Sequence, residues 1–179
     1  KAEGDVSLLA AKNTYSESSS QSSSSGSIGA SVSATGVSLN ANASKGRGQG
    51  AGQGESYTNT QVGGQTVAIE SGGDTTLKGA VVSGEQVTAR VGGDLKIESL
   101  QDTATYDESS KSSGFSVSVP VYGNGQAGAS VSAGKTKIES DFASVGEQSG
   151  IRAGDGGFQV DVRGATELKG GAITSTDKA

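Results

Sequence analysis

The chain has 179 residues, a formal net charge of −5, no His, no Cys and one Pro; 31% of its residues are hydrophobic and 4% aromatic. Without His or Cys it cannot build a Ser-His-Asp triad, a Cys-His pair or an ordinary zinc site, and its acidic balance argues against a nucleic-acid footprint. A compact globule carries about 45–50% apolar residues on a count that includes Gly, so the choice narrows to disorder or a thin core of small β-formers. The 30 Gly break helices, and the β-branched alternation along the chain excludes disorder. The expectation is an all-β chain.

In chain order, Gly4-Asp5-Val6-Ser7-Leu8-Leu9 predicts a first strand. Ala11 to Tyr15 is a polar exit, and Ser16 to Ser25 reads as a solvated strand extension. Ile28, Ala30, Val32 and Ala34 then alternate with Gly and Ser, and Val37, Leu39, Ala41 and Ala43 alternate with Ser and Asn. With Thr35-Gly36 as a two-residue loop, Ala34 faces Val37, Val32 faces Leu39, Ala30 faces Ala41 and Ile28 faces Ala43. All these side chains share one face because strand side chains alternate with period 2. Lys45 to Gly54, with Gly at every second position, reads as a flexible return linker.

From Thr60 to Asp102 the turn marks recur at Gly63-Gly64, Gly72-Gly73-Asp74, Ser83-Gly84 and Gly92-Gly93-Asp94. Between them lie short runs, among them Val67/Ile69, Leu77, Val81/Val82, Val87/Ala89/Val91 and Leu95/Ile97. Gly-Gly-Asp returns after roughly 20 residues, a period of stacked repeats. Each run is too short to form a core alone, but stacked runs bury one face against their neighbours. The pattern predicts a parallel β-helix.

After Asp102 the chain repeats itself. A second Ser run, Ser109 to Ser113, leads to Phe115, Val117, Val119 and Val121, then to Ala127, Ala129, Val131 and Ala133, with Gly123-Asn124-Gly125 as a three-residue loop. Here Val117 is expected opposite Val131, and Pro120, lacking an N–H, marks an edge or a blocked ladder position. The runs at 65–69 and 77–79 return at 158–162 and 168–170. Two units of roughly 90 residues, 1–92 and 93–179, are therefore predicted, nested over the shorter period, with hairpins inserted at about 27–44 and 114–135. The chain begins and ends in mid-pattern and is expected to be one β-helix segment of a longer protein.

The runs Gly-Gly-Asp-x-x-Leu-Lys-Gly-Ala at 72–80 and Gly-Gly-Asp-Leu-x-Ile-Glu-Ser at 92–99 resemble the haemagglutinin repeats of filamentous-haemagglutinin-like exoproteins. With Gln-Asp-Thr, a Tyr and the Ser/Lys run at 101–113, the unit is most similar to the second, C-terminal repeat region of contact-dependent growth inhibition toxins. The resemblance implies a right-handed parallel β-helix in a long surface filament exported by two-partner secretion. It implies a non-catalytic region that moves a C-terminal toxin across the target cell's outer membrane. Its implied partners are neighbouring β-helix repeats of the parent chain and the target outer membrane or one of its proteins. The second reading is an adhesin shaft that binds host or neighbouring cells.

No catalytic, metal or cofactor site is read from the residues. Asp107-Glu108, Asp155 and Asp161 are weighed as acid/base pairs of a polysaccharide-processing enzyme, and a solvated-turn role is preferred. The Gly-Gly-Asp turns lack the tandem nine-residue spacing of calcium-binding repeats; Gly for positive φ and Asp for a bond to nearby backbone explain them. The basic residues read as scattered, which with the net charge leaves nucleic acid out of the partners. The candidate functional residues are the apolar hairpin positions Ile28, Ala30, Val32, Val37, Leu39, Phe115, Val117, Val119, Val121 and Val131. They are expected to face either a membrane or the β-helix side, since their period also suits a membrane-spanning β-strand.

Overall fold

The computed structural model describes residues 1–178. Among them every regular element is a strand: β1 (Val6–Leu9), β2 (Ala11–Ser33), β3 (Gly36–Thr58), β4 (Thr60–Ser71), β5 (Thr75–Lys78), β6 (Ala80–Val91), β7 (Leu95–Glu98), β8 (Asp102–Gly123), β9 (Gly128–Ser144), β10 (Gly150–Ala153), β11 (Phe158–Val162), β12 (Thr166–Lys169) and β13 (Ala172–Thr174). The chain divides into two compact units, one of residues 1–15, 54–103 and 142 onward, the other of residues 16–53 and 104–141.

The first unit is two stacks of parallel strands. One runs β1-β5-β7-β12; in the other β6 pairs with β4, with β10 and with β11, and β10 pairs with β13. The roughly 20-residue period sets the register: Leu77 lies on Ile97 and Val67 on Val87. Like therefore stacks on like, with Leu8, Leu77, Ile97 and Leu168 in successive strands of one column. Strands about 4.8 Å apart bring branched side chains into contact along such a column. The core is the interior of these stacks, with Leu77, Val82, Val87, Ile97 and Ile151 fully buried. Each such side chain contributes roughly 1.5–3 kcal/mol.

The Gly-Gly-Asp turns have a role that the sequence reading placed elsewhere. The sequence pattern predicts Gly at positive φ and Asp bonded to nearby backbone; instead Gly72, Gly73, Gly92 and Gly93 all lack positive φ, and each carboxylate reaches the next layer. Asp5 Oδ1 accepts from the Asp74 N–H, Asp74 Oδ1 from the Asp94 N–H, and Asp94 Oδ1 from the Ala165 N–H, each at 2.8 Å. The residue before each donor is Gly73, Gly93 or Gly164, and a Cβ there would occupy the space of the carboxylate from the neighbouring layer. Glycine admits the carboxylate, and the carboxylate satisfies a turn N–H that no parallel ladder serves.

In the second unit the four long strands form one sheet in the order β2-β3-β8-β9. The hairpins β2-β3 and β8-β9 are as expected in kind but differ in register. Ala34 and Thr35, both with φ below zero, make the first turn, and Gly36 at φ 146° opens β3. Thr35 does not take the positive φ that a primed Thr-Gly turn demands of it. The strands slip by two residues from the expected pairing: Ser25 and Ser44 share a 2.7 Å hydrogen bond, as do Ser116 and Ser130. A slip of two leaves every side chain on its face. The second loop is longer than the expected three residues, with β8 ending at Gly123 and β9 beginning at Gly128, so Ala127 lies outside the strand. Pro120 stands where β8 has outrun β9, so on that side its missing N–H breaks no ladder.

The Gly-rich return is not a linker. Lys45 to Gly54 lies inside β3, and its even-numbered glycines all point to one face. Space that side chains would fill is taken by neighbouring strands: Ser23 and Ser19 hydroxyls beside Gly46 and Gly50, the Tyr106 ring over Gly50 and Gly52, and the Tyr15 ring over Gly54. Glycine weakens a strand through entropy and lost packing; here the tyrosines restore the packing, which is how a Gly-rich segment becomes β-structure.

Candidate functional site

The second unit's sheet carries all ten candidate residues, and alternation decides where each points. On one face of the sheet, Ser25 and Ser27 of β2 meet Ser44 and Asn42 of β3, and Ser116 of β8 meets Ser130 of β9. Between the hairpins, β3 and β8 run antiparallel: the Asn124 N–H donates to Thr35 O at 3.0 Å near the tip, and Gly48 lies beside Ser110 lower down. Along the hairpins that face of all four strands is mostly Ser, Asn and Gly, with Pro120 near the tip and Tyr106 lower down. The opposite face takes Ile28, Ala30 and Val32 from β2, Val37 and Leu39 from β3, Phe115, Val117, Val119 and Val121 from β8, and Val131 from β9.

Neighbouring registers bring these residues together. Ala43 of β3 faces Phe115, which faces Val131 on β9, and the three line one shallow depression. Leu39 falls beside Val119 and Val37 beside Val121, following the same β3–β8 register. The face is open: Ile28 is 89% exposed, Val32 80% and Val131 79%. Val37 and Val117, in the inner strands, are partly covered by their neighbours. Contiguous exposed apolar patches of this kind are uncommon on monomeric proteins.

The same face carries a group that the sequence reading missed. Lys45 and Arg47 on β3, Lys111 on β8, and Lys135 and Lys137 on β9 fall on it just beyond the apolar residues, farther from the hairpin tips. Arg47 and Lys111 line one depression, and Lys45 lines the one that holds Phe115 and Val131. Residues read as scattered along 93 positions become a row only when β3 pairs with β8. The local signal that was available is their odd numbering, shared with the apolar positions of β3, β8 and β9.

Carboxylates elsewhere have partners that account for them. Glu98, in the first unit, takes Lys169 at 3.0 Å and Lys78 at 3.3 Å, and these ammonium groups, Lys169 foremost, hold its carboxyl below the ordinary range. Glu70 is held low by Lys1 and then by Arg90. Of the residues weighed for acid/base work, Asp155 accepts from Thr176 at 2.7 Å, Asp161 lies in register beside Arg90, and Glu108 accepts from the Tyr106 hydroxyl at 3.1 Å. Asp107 lies close enough to Lys137 to raise its pKa, after the larger effect of Glu139.

Strand stacks of fixed period, a carboxylate repeated layer on layer, and an open amphipathic sheet together define an all-β repeat segment. The family model for the hemagglutinin repeat matches residues 1–112, and the chain belongs to that family. It is 48% identical over 123 residues to the tRNA nuclease CdiA of Yersinia mollaretii, covering 67% of this chain and 4% of that one. Over 124 residues it is 44% identical to the deoxyribonuclease CdiA of Dickeya dadantii, and over 126 residues 42% identical to a tRNA nuclease CdiA of Escherichia coli. These stretches cover 68% and 69% of this chain and 4% of each relative. The matched stretch thus spans about one twenty-fifth of each of these three relatives. No solved structure matches it.

Proposed function

We propose that the chain is a non-catalytic repeat segment of a secreted bacterial surface protein of the contact-dependent inhibition type. In this reading its first unit is part of a right-handed parallel β-helix, and its amphipathic sheet assists delivery of a C-terminal toxin across the target outer membrane. The β-helix is supported by two parallel stacks that share one repeat period, and by the duplication of the strand-plus-hairpin pattern in units of roughly 90 residues. Membership of the hemagglutinin-repeat family, and similarity to short stretches of much longer proteins named as nucleases, support the setting, in which the repeats are the carrier.

The observation that carries the delivery role is the open apolar face of β2, β3, β8 and β9. Four antiparallel strands with an apolar face and a Ser/Asn/Gly face have the alternation of a membrane-facing β-sheet. The test uses the full-length protein that carries this segment, with Val32→Asp and Val131→Asp introduced together. Both side chains are exposed, so folding and surface display should persist while growth inhibition of target cells falls at least about tenfold, each carboxylate on a lipid-facing strand costing somewhat less than the about 2–4 kcal/mol of an Arg or Lys at mid-membrane. Unchanged inhibition would sink the delivery role. If inhibition falls only because cells no longer attach, the adhesin reading takes its place.

A further inference from the structure

Of the surfaces left unexplained, the row formed by Lys45, Arg47, Lys111, Lys135 and Lys137 is the most unusual in its charge. The segments 18–53 and 109–138 contain these five basic residues and not one of the chain's 19 Asp and Glu. A chain of net charge −5 thus keeps one stretch of a single sheet free of negative charge. Among the described residues, Lys45, Arg47, Lys111 and Lys135 form no ion pair, while Lys137 pairs with Glu139 at the margin of the row. Such like charges repel one another across neighbouring strands, which costs stability and suggests that an anion from outside relieves them.

We propose that this row is a phosphate-binding belt that docks the sheet on the anionic headgroups of a lipid bilayer. The proposal rests on the membrane reading of the apolar face and adds to it the chemistry of the surface recognised. Position supports it. Lys45 and Arg47 lie nine and eleven residues from Gly36 at the hairpin tip, about 30–36 Å along a strand. At the strand tilt usual in membrane sheets this is about 23–28 Å of depth, near the height of an apolar β-barrel band. Cations so placed lie at headgroup level whenever the apolar face is in contact with acyl chains, and their stems can reach along apolar surface to do so.

A second copy of the chain does not satisfy the same surface. Stacked with strands parallel, two such faces would set belt against belt. Stacked antiparallel with apolar rows in contact, each belt would lie beyond the partner's tip loops, which carry no Asp or Glu. Apolar contact and charge neutralisation are met together only by a surface that is apolar inside and anionic at its rim. A phospholipid leaflet has that arrangement, and each Lys or Arg near it adds to binding.

The test is sedimentation of the intact chain with vesicles of phosphatidylcholine, alone or mixed with phosphatidylglycerol. The expected result is at least about tenfold stronger binding to the anionic vesicles, lost at high salt. Replacing all five belt residues with Gln should abolish that preference, whereas K45R, K111R, K135R and K137R combined should retain it. Replacing Lys96 and Lys169 with Gln, outside the sheet, should leave the preference intact, which separates a belt from a general effect of net charge. Circular dichroism of each variant confirms the fold. Equal binding to both vesicle types, or a preference that survives the fivefold replacement, overturns the belt and leaves the apolar face as the membrane contact. Absence of binding to either vesicle overturns the belt and the membrane reading together.

Discussion

Asp74 shows how one residue type at one turn serves two layers. Its backbone N–H donates to Asp5 and its carboxylate accepts from Asp94, so it links three successive turns. Replacing it with Ala removes an ionised acceptor and leaves the Asp94 N–H to solvent, at a cost of about 1–2 kcal/mol by denaturant titration; Asn, which keeps an acceptor oxygen, should cost less. Glu98 contributes to the acid sensitivity of the same unit. Its carboxyl is held below the ordinary 4.5 by Lys169 and then Lys78. A depressed folded pKa means stability that is present above the unfolded value and lost as pH falls through the folded one. Glu98→Gln should therefore flatten the pH dependence of the unfolding midpoint below about 4.5, and an unchanged acid limb would assign that sensitivity to other carboxylates. Because the pair is partly open to solvent, the effect at neutral pH should be small.

At the level of elements, β3 is the informative strand. Its glycines would ordinarily disfavour β-structure, and a larger side chain would raise its intrinsic propensity. Here the prediction runs the other way: Gly50→Val should lower the melting temperature, because the new side chain enters space held by Tyr106 and Ser19. Tyr106→Ala should be destabilising alone and should partly rescue Gly50→Val, a coupling that a double-mutant cycle measures. If the two losses simply add, the tyrosine does not pack on the glycine strip. The turn between β2 and β3 teaches a related point. Alternation keeps the faces under a slip of two, but the register itself depends on which residues take positive φ, and among the described non-glycine residues none does.

For the molecule as a whole, folding energy and exposed apolar surface lie in different places. Leu77 is fully buried in the parallel stacks, and Leu77→Ala should cost about 2–5 kcal/mol. Val131, 79% exposed, should cost no more than about 0.5 kcal/mol when changed to Ser. Equal costs from chemical denaturation would mean that the open face is covered in solution. The unequal result leaves the face free for a partner, which is what the proposed membrane delivery requires of it.

The sequence by itself determined the all-β class, the roughly 20-residue period, the buried positions such as Val67, Leu77 and Ile97, and one apolar face on each hairpin, with Ile28 and Val32 sharing the first and Phe115 and Val131 the second. These follow from alternation and periodicity, which are local properties readable from residues a few positions apart. Tertiary structure alone decided the rest. That Lys45 to Gly54 is strand depends on Tyr106, some fifty positions away, lying over its glycines. That Gly-Gly-Asp joins layers depends on a carboxylate about 20 or 70 residues distant. That the two hairpins form one sheet, with five cations aligned beside its apolar face, depends on β3 pairing with β8. Strand partners far apart in sequence are chosen by packing and by closed hydrogen bonds, and a local pattern carries no record of that choice.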